Sequence, residues 1–400
     1  MPATAIQGRF RRRGRRLSWR TAGLLLGFLV TVHVPAPMSR AADAPEPDAD
    51  PTRTRMREIF TSMQFLLPLA VRGGFDDPGV REKLTRALES LAADAELLAR
   101  HAGEEDPARR FLGRSLAADA RNALERFREG RSDSAAFLVQ QASENCVACH
   151  TKLQSPGDSP ITEKFVDESA LAALRPEERA RLLLATRQFD EALTTLETLF
   201  QTTEMHPSAM LGPLTDYLVT AIRVKGDYDR PVPVLERFAR RPDLWLQLRR
   251  DVEHWIQDLR TLRPLAESPP DLATPRRLVE EARSLDPFGS DQRPLVRFII
   301  ASSLLHRWLA DPTHSAGEQA EAFTLLGISE LRIDDTFWLS QADFYLETAI
   351  RRAPGTPTAM RAYELLEAAT ITSYTGAAGV DLPESVRVRL AELRKLAEPR

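Results

Sequence analysis

Two cysteines and a histidine lie together in the segment ENCVACH, residues 144–150, and these are the only cysteines in the 400-residue chain. A disulfide between Cys146 and Cys149 would close a very small loop and add little stability. A zinc site needs four ligands, and the sequence has no second cysteine pair or His-x-x-x-His cluster to complete one. A thioredoxin-like redox pair would follow a strand, whereas the residues before Cys146 have a helical pattern.

The remaining chemistry for Cys-x-x-Cys-His is covalent attachment of haem. The two thiols add to the vinyl groups of haem as thioethers. On a helix, the i and i+3 spacing puts both sulfurs on one face, and i+4 brings the imidazole alongside to ligate iron. We therefore predict one covalently bound haem c, attached through Cys146 and Cys149, with His150 as an iron ligand.

The composition predicts an all-α fold. Glycine is sparse, with 19 residues, and Leu, Ala, Arg and Glu dominate. The length suggests two or three domains, or one domain followed by a repeat array. No Ser-His-Asp order, glycine-rich phosphate loop or clustered carboxylate pair stands out, so we predict an electron carrier or haem binder and not an enzyme.

Residues 1–41 have the order of a secretory signal peptide. Arginines at 9–20 form a basic segment, an apolar run follows at 22–34, and cleavage is predicted after Ala41 or Ala42. The apolar run is shorter than the ~18 residues that favour a membrane span, so no integral membrane segment is expected after cleavage. Haem attachment takes place outside the cytoplasm, so we predict an exported, periplasmic protein.

Signal cleavage changes the charge balance. It removes eight arginines and no acidic residue, which leaves 46 basic and 57 acidic side chains and a net charge of −11. The basic cluster is therefore a targeting feature, and no nucleic-acid partner is predicted. An acidic mature chain favours a redox partner protein with a basic docking face.

The residues before the motif predict four consecutive helices. Apolar side chains recur at three- and four-residue steps over about 52–71, 79–102, 111–127 and from Ser132 or Ser134 into the cysteines. Turn-forming residues at 73–78, 103–107 and Gly130 separate these segments. Short connections between consecutive helices predict an antiparallel four-helix bundle.

Residues 52–153, about a quarter of the chain, resemble a class II c-type cytochrome of the cytochrome c′ and c556 group. In that family the CxxCH motif lies on the last helix of a four-helix bundle. The resemblance rests on the helix order and on Cys146, Cys149, His150, Pro68 and Gly73. Two features depart from the family: Leu153-Gln154 stands where an aromatic and a basic residue are common, and a long extension follows.

The resemblance implies that His150 is the proximal iron ligand. Family members with a sixth protein ligand use a methionine near the start of the first helix, and five-coordinate members have an apolar residue there. Met56 lies close to that position and is the predicted distal candidate, with Met63 as the other; both also fit the apolar stripe of the helix. His101, at the end of the second helix, is predicted to cap that helix and not to bind iron.

Residues 154–162 predict a linker, and residues 163–400 predict an irregular array of helix pairs that resembles tetratricopeptide repeats. Segments 187–200 and 225–242 are similar to the second helix of that repeat. Leu326-Gly327 is similar to the first helix, and Ala342, Leu346 and Ala349 to the second. A plain α-helical domain remains the alternative.

These observations favour an extracytoplasmic electron-transfer protein whose helical extension docks a redox partner, because stacked helix pairs usually form a binding surface. Two alternatives stay open. One is a five-coordinate haem protein that binds nitric oxide or carbon monoxide. The other is an assembly scaffold in which the haem is accessory.

Overall fold

Most of the described chain is helical, which confirms the all-α fold class. The computed structural model describes residues 51–101, 107–152, 174–202, 205–286, 291–333, 341–376 and 379–399. All of them belong to one compact unit, Ala49–Arg400. The predicted signal peptide (1–41) and linker (154–162) lie outside the described residues.

Four long helices come first. They are α1 (Pro51–Arg72), α2 (Arg81–His101), α3 (Pro107–Arg128) and α4 (Ser132–Lys152). These bounds agree with the sequence prediction to within a few residues. α1 and α3 end close to Gly73 (φ 78°) and Gly130 (φ 76°), because glycine adopts the left-handed conformation of a helix end without steric cost.

Neighbouring helices in this part of the chain run antiparallel. Arg121 Nη2 on α3 lies 2.7 Å from Glu96 Oε2 on α2, and Arg128 Nη2 lies 2.6 Å from Glu89 Oε1. As the residue number rises along α3, the number of the contacted residue on α2 therefore falls. The short connections make the other consecutive pairs antiparallel as well. α1 packs against both α2 and α4, which closes α1–α4 into a ring that we call the N-terminal helical group.

An apolar core fills this ring. Each helix contributes a stripe at three- and four-residue steps, as the sequence predicts. The buried members include Ile59, Met63, Leu66 and Leu67 on α1, Leu84, Leu88, Leu91 and Ala95 on α2, Leu116, Ala120, Ala123 and Phe127 on α3, and Ala135, Val139 and Ala142 on α4. Leu66, Leu84, Leu88 and Leu91 are fully buried. Burial of each such leucine contributes about 1.5–3 kcal/mol.

A longer series of helices follows, which we call the extension. Its helices are α5 (Pro176–Ala185), α6 (Phe189–Leu199), α7 (Leu211–Leu218), α8 (Pro231–Ala239), α9 (Leu246–Leu262), α10 (Ala273–Leu285), α11 (Leu295–Leu309), α12 (Ala316–Ile333), α13 (Gln341–Arg352), α14 (Pro357–Ser373) and α15 (Glu384–Ala397). A π-helical turn, Val219–Val224, continues α7. Between α14 and α15, β1 (Thr375–Gly376) pairs antiparallel with β2 (Gly379–Val380). Among the described helices, none is long and apolar enough to cross a membrane.

Helices of the extension pack mainly on their neighbours in sequence. α5 packs on α6, α8 on α9, α10 on α11, and α12 on α13. The last pair approaches closely at Gly327, where an added Cβ would lie 2.6 Å from Leu346 Cγ. Pro231 is the first residue of α8, a position at which the missing N–H has no intrahelical partner to lose.

The extension and the N-terminal helical group share apolar contacts. Leu183, Phe189 and Val224 of the extension belong to the same buried cluster as the stripes of α1–α4. At a second place, the ring of Phe111 on α3 lies 5.6 Å from the ring of Phe344 on α13, measured between centroids. The predicted boundary between the two parts falls in residues outside the described ranges, and the apolar core is continuous across it.

Candidate functional site

The CxxCH motif occupies the last two turns of α4, and its cysteines continue the core stripe of that helix. Cys146 lies four residues and Cys149 seven residues after the buried Ala142, so all three share one face. Cys146 packs against the core, and its Sγ donates to Ala142 O at 3.5 Å. Both sulfurs are thiols, and both residues keep part of their surface accessible. Helical spacing thus puts both thiols on one face of α4, and Cys146 on that face packs against the core.

The residue before the first cysteine fixes how α4 is rotated. Asn145 is 2% exposed, and its Nδ2 donates to Asp119 Oδ2 on α3 at 2.8 Å. Burial raises the pKa of Asp119, while the hydrogen bond from Asn145 acts in the opposite direction. This buried polar contact ties the motif to α3, and a change in helix rotation would leave both groups without it.

His150 contacts the extension. Its Nδ1 bonds to the carbonyl oxygen of Ala185, the last residue of α5. A carbonyl only accepts, so Nδ1 carries the proton and Nε2 carries the lone pair. Part of the residue's surface is accessible, but protein atoms surround the imidazole, and this burial lowers its pKa to about 4. That value already includes a smaller lowering by the charge of Arg187 and the opposite effect of the Ala185 bond. The ring is neutral at pH 7, which is the form that binds metals.

Measured along the axis of α1, the position opposite His150 falls between the two methionines of that helix. Gln140 Nε2 on α4 donates to Ala70 O on α1 at 3.1 Å, so in an antiparallel pair His150 is level with about residue 60. At 1.5 Å per residue, Met56 and Met63 lie roughly 6 and 4.5 Å from that level along the axis. Met63 is 4% exposed inside the core, whereas Met56 is half-buried at its edge. The assignment of Met56 as distal ligand stays a prediction.

Three histidine side chains of the extension have partners within the extension. His101 is the last residue of α2, and its side chain is outside the described part of the structure. The ring of His314 stacks on Trp308 with centroids 3.6 Å apart. His206 Nδ1 lies 2.8 Å from Ser208 Oγ, and His306 Nε2 lies 3.3 Å from the hydroxyl oxygen of Tyr345. These side chains make local contacts within the extension.

No protein-family model, curated protein or solved structure matches this chain. Within the described residues, no group of three or more His, Cys, Asp or Glu side chains is arranged to hold a metal ion. Haem iron is a different kind of site, because the porphyrin supplies four of its ligands and the protein needs to supply only the axial ones.

Two features of the site could not be found from the sequence. The Asn145–Asp119 contact joins side chains of common types that are 26 positions apart. The acceptor for His150 is a backbone carbonyl, which every residue possesses, so the identity of Ala185 carries no signal. The local sequence indicates only that residues 176–185 form a helix. The last carbonyl groups of any helix need hydrogen-bond donors from elsewhere, so a partner for the Ala185 carbonyl is expected but not identified.

Proposed function

We propose that this chain is an exported monohaem c-type cytochrome, with haem attached through Cys146 and Cys149 and iron ligated by His150. The observation that carries the proposal is the environment of His150. Its Nδ1 bonds to a backbone carbonyl and its neutral ring keeps a lone pair on Nε2, which is the usual state of a metal-ligating histidine. Two thiols one helical turn apart supply the attachment points. This donor set fits covalent haem.

The chain's own residues would perform separate tasks around the cofactor. Bound haem supplies one-electron exchange between ferrous and ferric iron. Asn145 and Asp119 hold α4 in the rotation that directs the thiols toward the core. The Ala185 carbonyl orients the imidazole. The apolar stripes of α1–α4 limit access of water to the interior of the group.

The helix order supports a cytochrome c′-like four-helix bundle. α1–α4 form a closed antiparallel ring, and the motif lies on the last of these helices. The extension supports a TPR-like array, because consecutive helices pack as pairs and Gly327 lies against Leu346 at one helix crossing. Both family assignments belong to the proposal.

Electron transfer with a protein partner is the function that we favour. The mature chain would carry a net charge of −11, which attracts a partner with a basic docking face. The extension adds further surface on which a partner could dock. The order of residues 1–41 supports export to the periplasm, where such a partner would be met.

Haem staining after denaturing electrophoresis tests attachment. The protein would be produced in a host that matures c-type cytochromes, as the wild type and as the double variant Cys146→Ala/Cys149→Ala. We expect wild-type protein to keep its haem in denaturant and the double variant to lose it. Gln141→Ala is the matched control, since Gln141 lies on the same helix with part of its surface accessible and the variant keeps both thiols. Release of haem from the wild type by denaturant alone would overturn the proposal.

The visible spectrum of the ferrous protein then separates the rival functions. A low-spin, six-coordinate spectrum that is insensitive to carbon monoxide is expected for electron transfer. A high-spin spectrum that changes with carbon monoxide would instead favour gas binding. Both outcomes leave the covalent attachment intact, so the two tests are independent.

A further inference from the structure

The last turn of α5 leaves one backbone carbonyl, that of Ala185, to contact His150. Arg187 N donates to Leu184 O at 3.0 Å, and Gln188 N donates to Leu183 O at 2.9 Å. This pair of bonds closes the helix in a Schellman turn and satisfies the carbonyls on the turn before the end. The Ala185 carbonyl lies beyond them and accepts from His150 Nδ1.

The turn depends on an unusual backbone conformation. Arg187 has a φ of 62°, the left-handed conformation that glycine normally supplies at this position of a helix end. A non-glycine residue is strained in this conformation, because its Cβ lies too close to the following carbonyl oxygen. Thr186 and Gln188 on either side are buried, and Gln188 Nε2 donates to Thr186 Oγ1 at 2.9 Å, so the surrounding contacts hold the turn in place.

Arg187 also carries a full positive charge two residues after Ala185, whose carbonyl contacts His150. Two opposite electrostatic influences therefore reach the same side chain from one turn. The carbonyl end of α5 carries partial negative charge, and the Arg187 side chain carries a full positive charge.

We propose that the C-terminal turn of α5 is an outer-sphere element of the haem site, in which the Ala185 carbonyl orients His150 and Arg187 holds that carbonyl in position. This inference rests on the proposed function. It makes the extension a part of the haem site in addition to any role in docking. Ala185 and Arg187 are positioning residues, since they act on the iron through His150.

The electronic consequence has a definite sign. A hydrogen bond from Nδ1–H to a carbonyl makes the imidazole a stronger donor, which stabilises ferric iron and lowers the reduction potential. The positive charge of Arg187 disfavours ferric iron and raises the potential. Removing the charge while keeping the turn should lower the potential. Removing the charge and also disturbing the turn should move the potential back upward.

Two substitutions of Arg187 separate these effects in the full-length haem-loaded protein. Arg187→Gly removes the charge and suits the left-handed φ, whereas Arg187→Val removes the charge and resists that φ. We expect the reduction potential of Arg187→Val to lie above that of Arg187→Gly, because only valine disturbs the turn that positions the Ala185 carbonyl. The reduction potential should be lowest in Arg187→Gly. Arg187→Lys, which keeps the charge, should stay nearer to the wild-type potential.

Equal reduction potentials in folded Arg187→Gly and Arg187→Val would overturn the inference. A second measurement needs no variant, in case the valine protein does not fold. The Nδ1 proton of His150 should be visible by NMR in the diamagnetic ferrous state and exchange slowly with solvent; fast exchange would also overturn the inference. Failure of the proposed function looks different, because the wild type would then carry no covalent haem.

Discussion

Arg223 Nη1 lies 2.7 Å from Glu330 Oε1 inside the extension, and both side chains are almost completely buried. Ser302 Oγ on α11 donates to the same carboxylate oxygen at 2.9 Å and accepts from Arg223 Nη1 at 3.1 Å. Arg223 belongs to the π-helical turn that also contacts α4, and the next residue, Val224, packs in the core of the N-terminal helical group. This buried triangle therefore links α11 and α12 to the turn beside the CxxCH helix.

Loss of the Glu330 charge should strongly destabilise the protein. Glu330→Gln leaves the Arg223 guanidinium buried without its counter-charge, and breaking such pairs typically costs 3–5 kcal/mol. The free energy of unfolding, measured in urea, gives the comparison. Glu384→Gln is the control, because Glu384 pairs with Arg387 at the exposed start of α15 and should cost at most about 1 kcal/mol. Equal losses in the two variants would contradict the assigned role of the buried pair.

Gly327 should not tolerate a side chain. An alanine Cβ would lie 2.6 Å from Cγ and Cδ2 of Leu346, which is itself fully buried, so a shift of Leu346 would disturb the side chains around it. We expect Gly327→Ala to lower the free energy of unfolding by about 1–3 kcal/mol, despite the better helix propensity of alanine. Gly317→Ala on the same helix meets nothing within 4 Å and should be neutral or slightly stabilising. Thermal unfolding of both variants checks the contrast, and a stabilised Gly327→Ala would refute the close approach.

The helices of the N-terminal group could be predicted because several local signals agree there. The apolar spacing from Ile59 to Leu67 continues to the end of α1, and Gly73 stops the helix in a conformation that few other residues adopt. Gly130 does the same after α3. Such signals depend on neighbours in sequence, so a single chain contains them in full. The same reasoning predicts that Cys146, Cys149 and His150 form a haem site, because their spacing is local, and that assignment stays a prediction.

Contacts across long stretches of sequence could not be predicted in this way. The sequence favours a linker and two separate parts, whereas Leu183 and Phe189 of the extension pack in the core of the helical group. Their apolar character predicts burial but not the partner that buries them. The partner of His150 is a carbonyl 35 positions away, and its place depends on how α5 packs against α4.

Limited proteolysis should cut first between Lys152 and Glu163, where turn-forming residues predict exposed backbone. Because α5 packs on α4 through shared apolar contacts, we expect the two fragments to stay together after this cut. Denaturing electrophoresis should show two bands, and size-exclusion chromatography should show one particle of the original size. The uncut protein run in parallel is the control. Two separated fragments under native conditions would show that the shared core is too weak to join the parts.

Met56 and Met63 should respond differently to truncation. If Met56 supplies the sixth ligand, Met56→Ala should open the iron to carbon monoxide and shift the ferric spectrum toward high spin, because a bound thioether favours low-spin iron. Met63 is 4% exposed in the core, so Met63→Ala should leave the spectrum nearly unchanged and cost about 2–5 kcal/mol of stability. Visible spectra with and without carbon monoxide, and urea unfolding, check the two expectations. Each variant is the control for the other, since they lie on one helix. A wild-type spectrum that is already high spin, or a spectral change confined to Met63→Ala, would remove Met56 from the site.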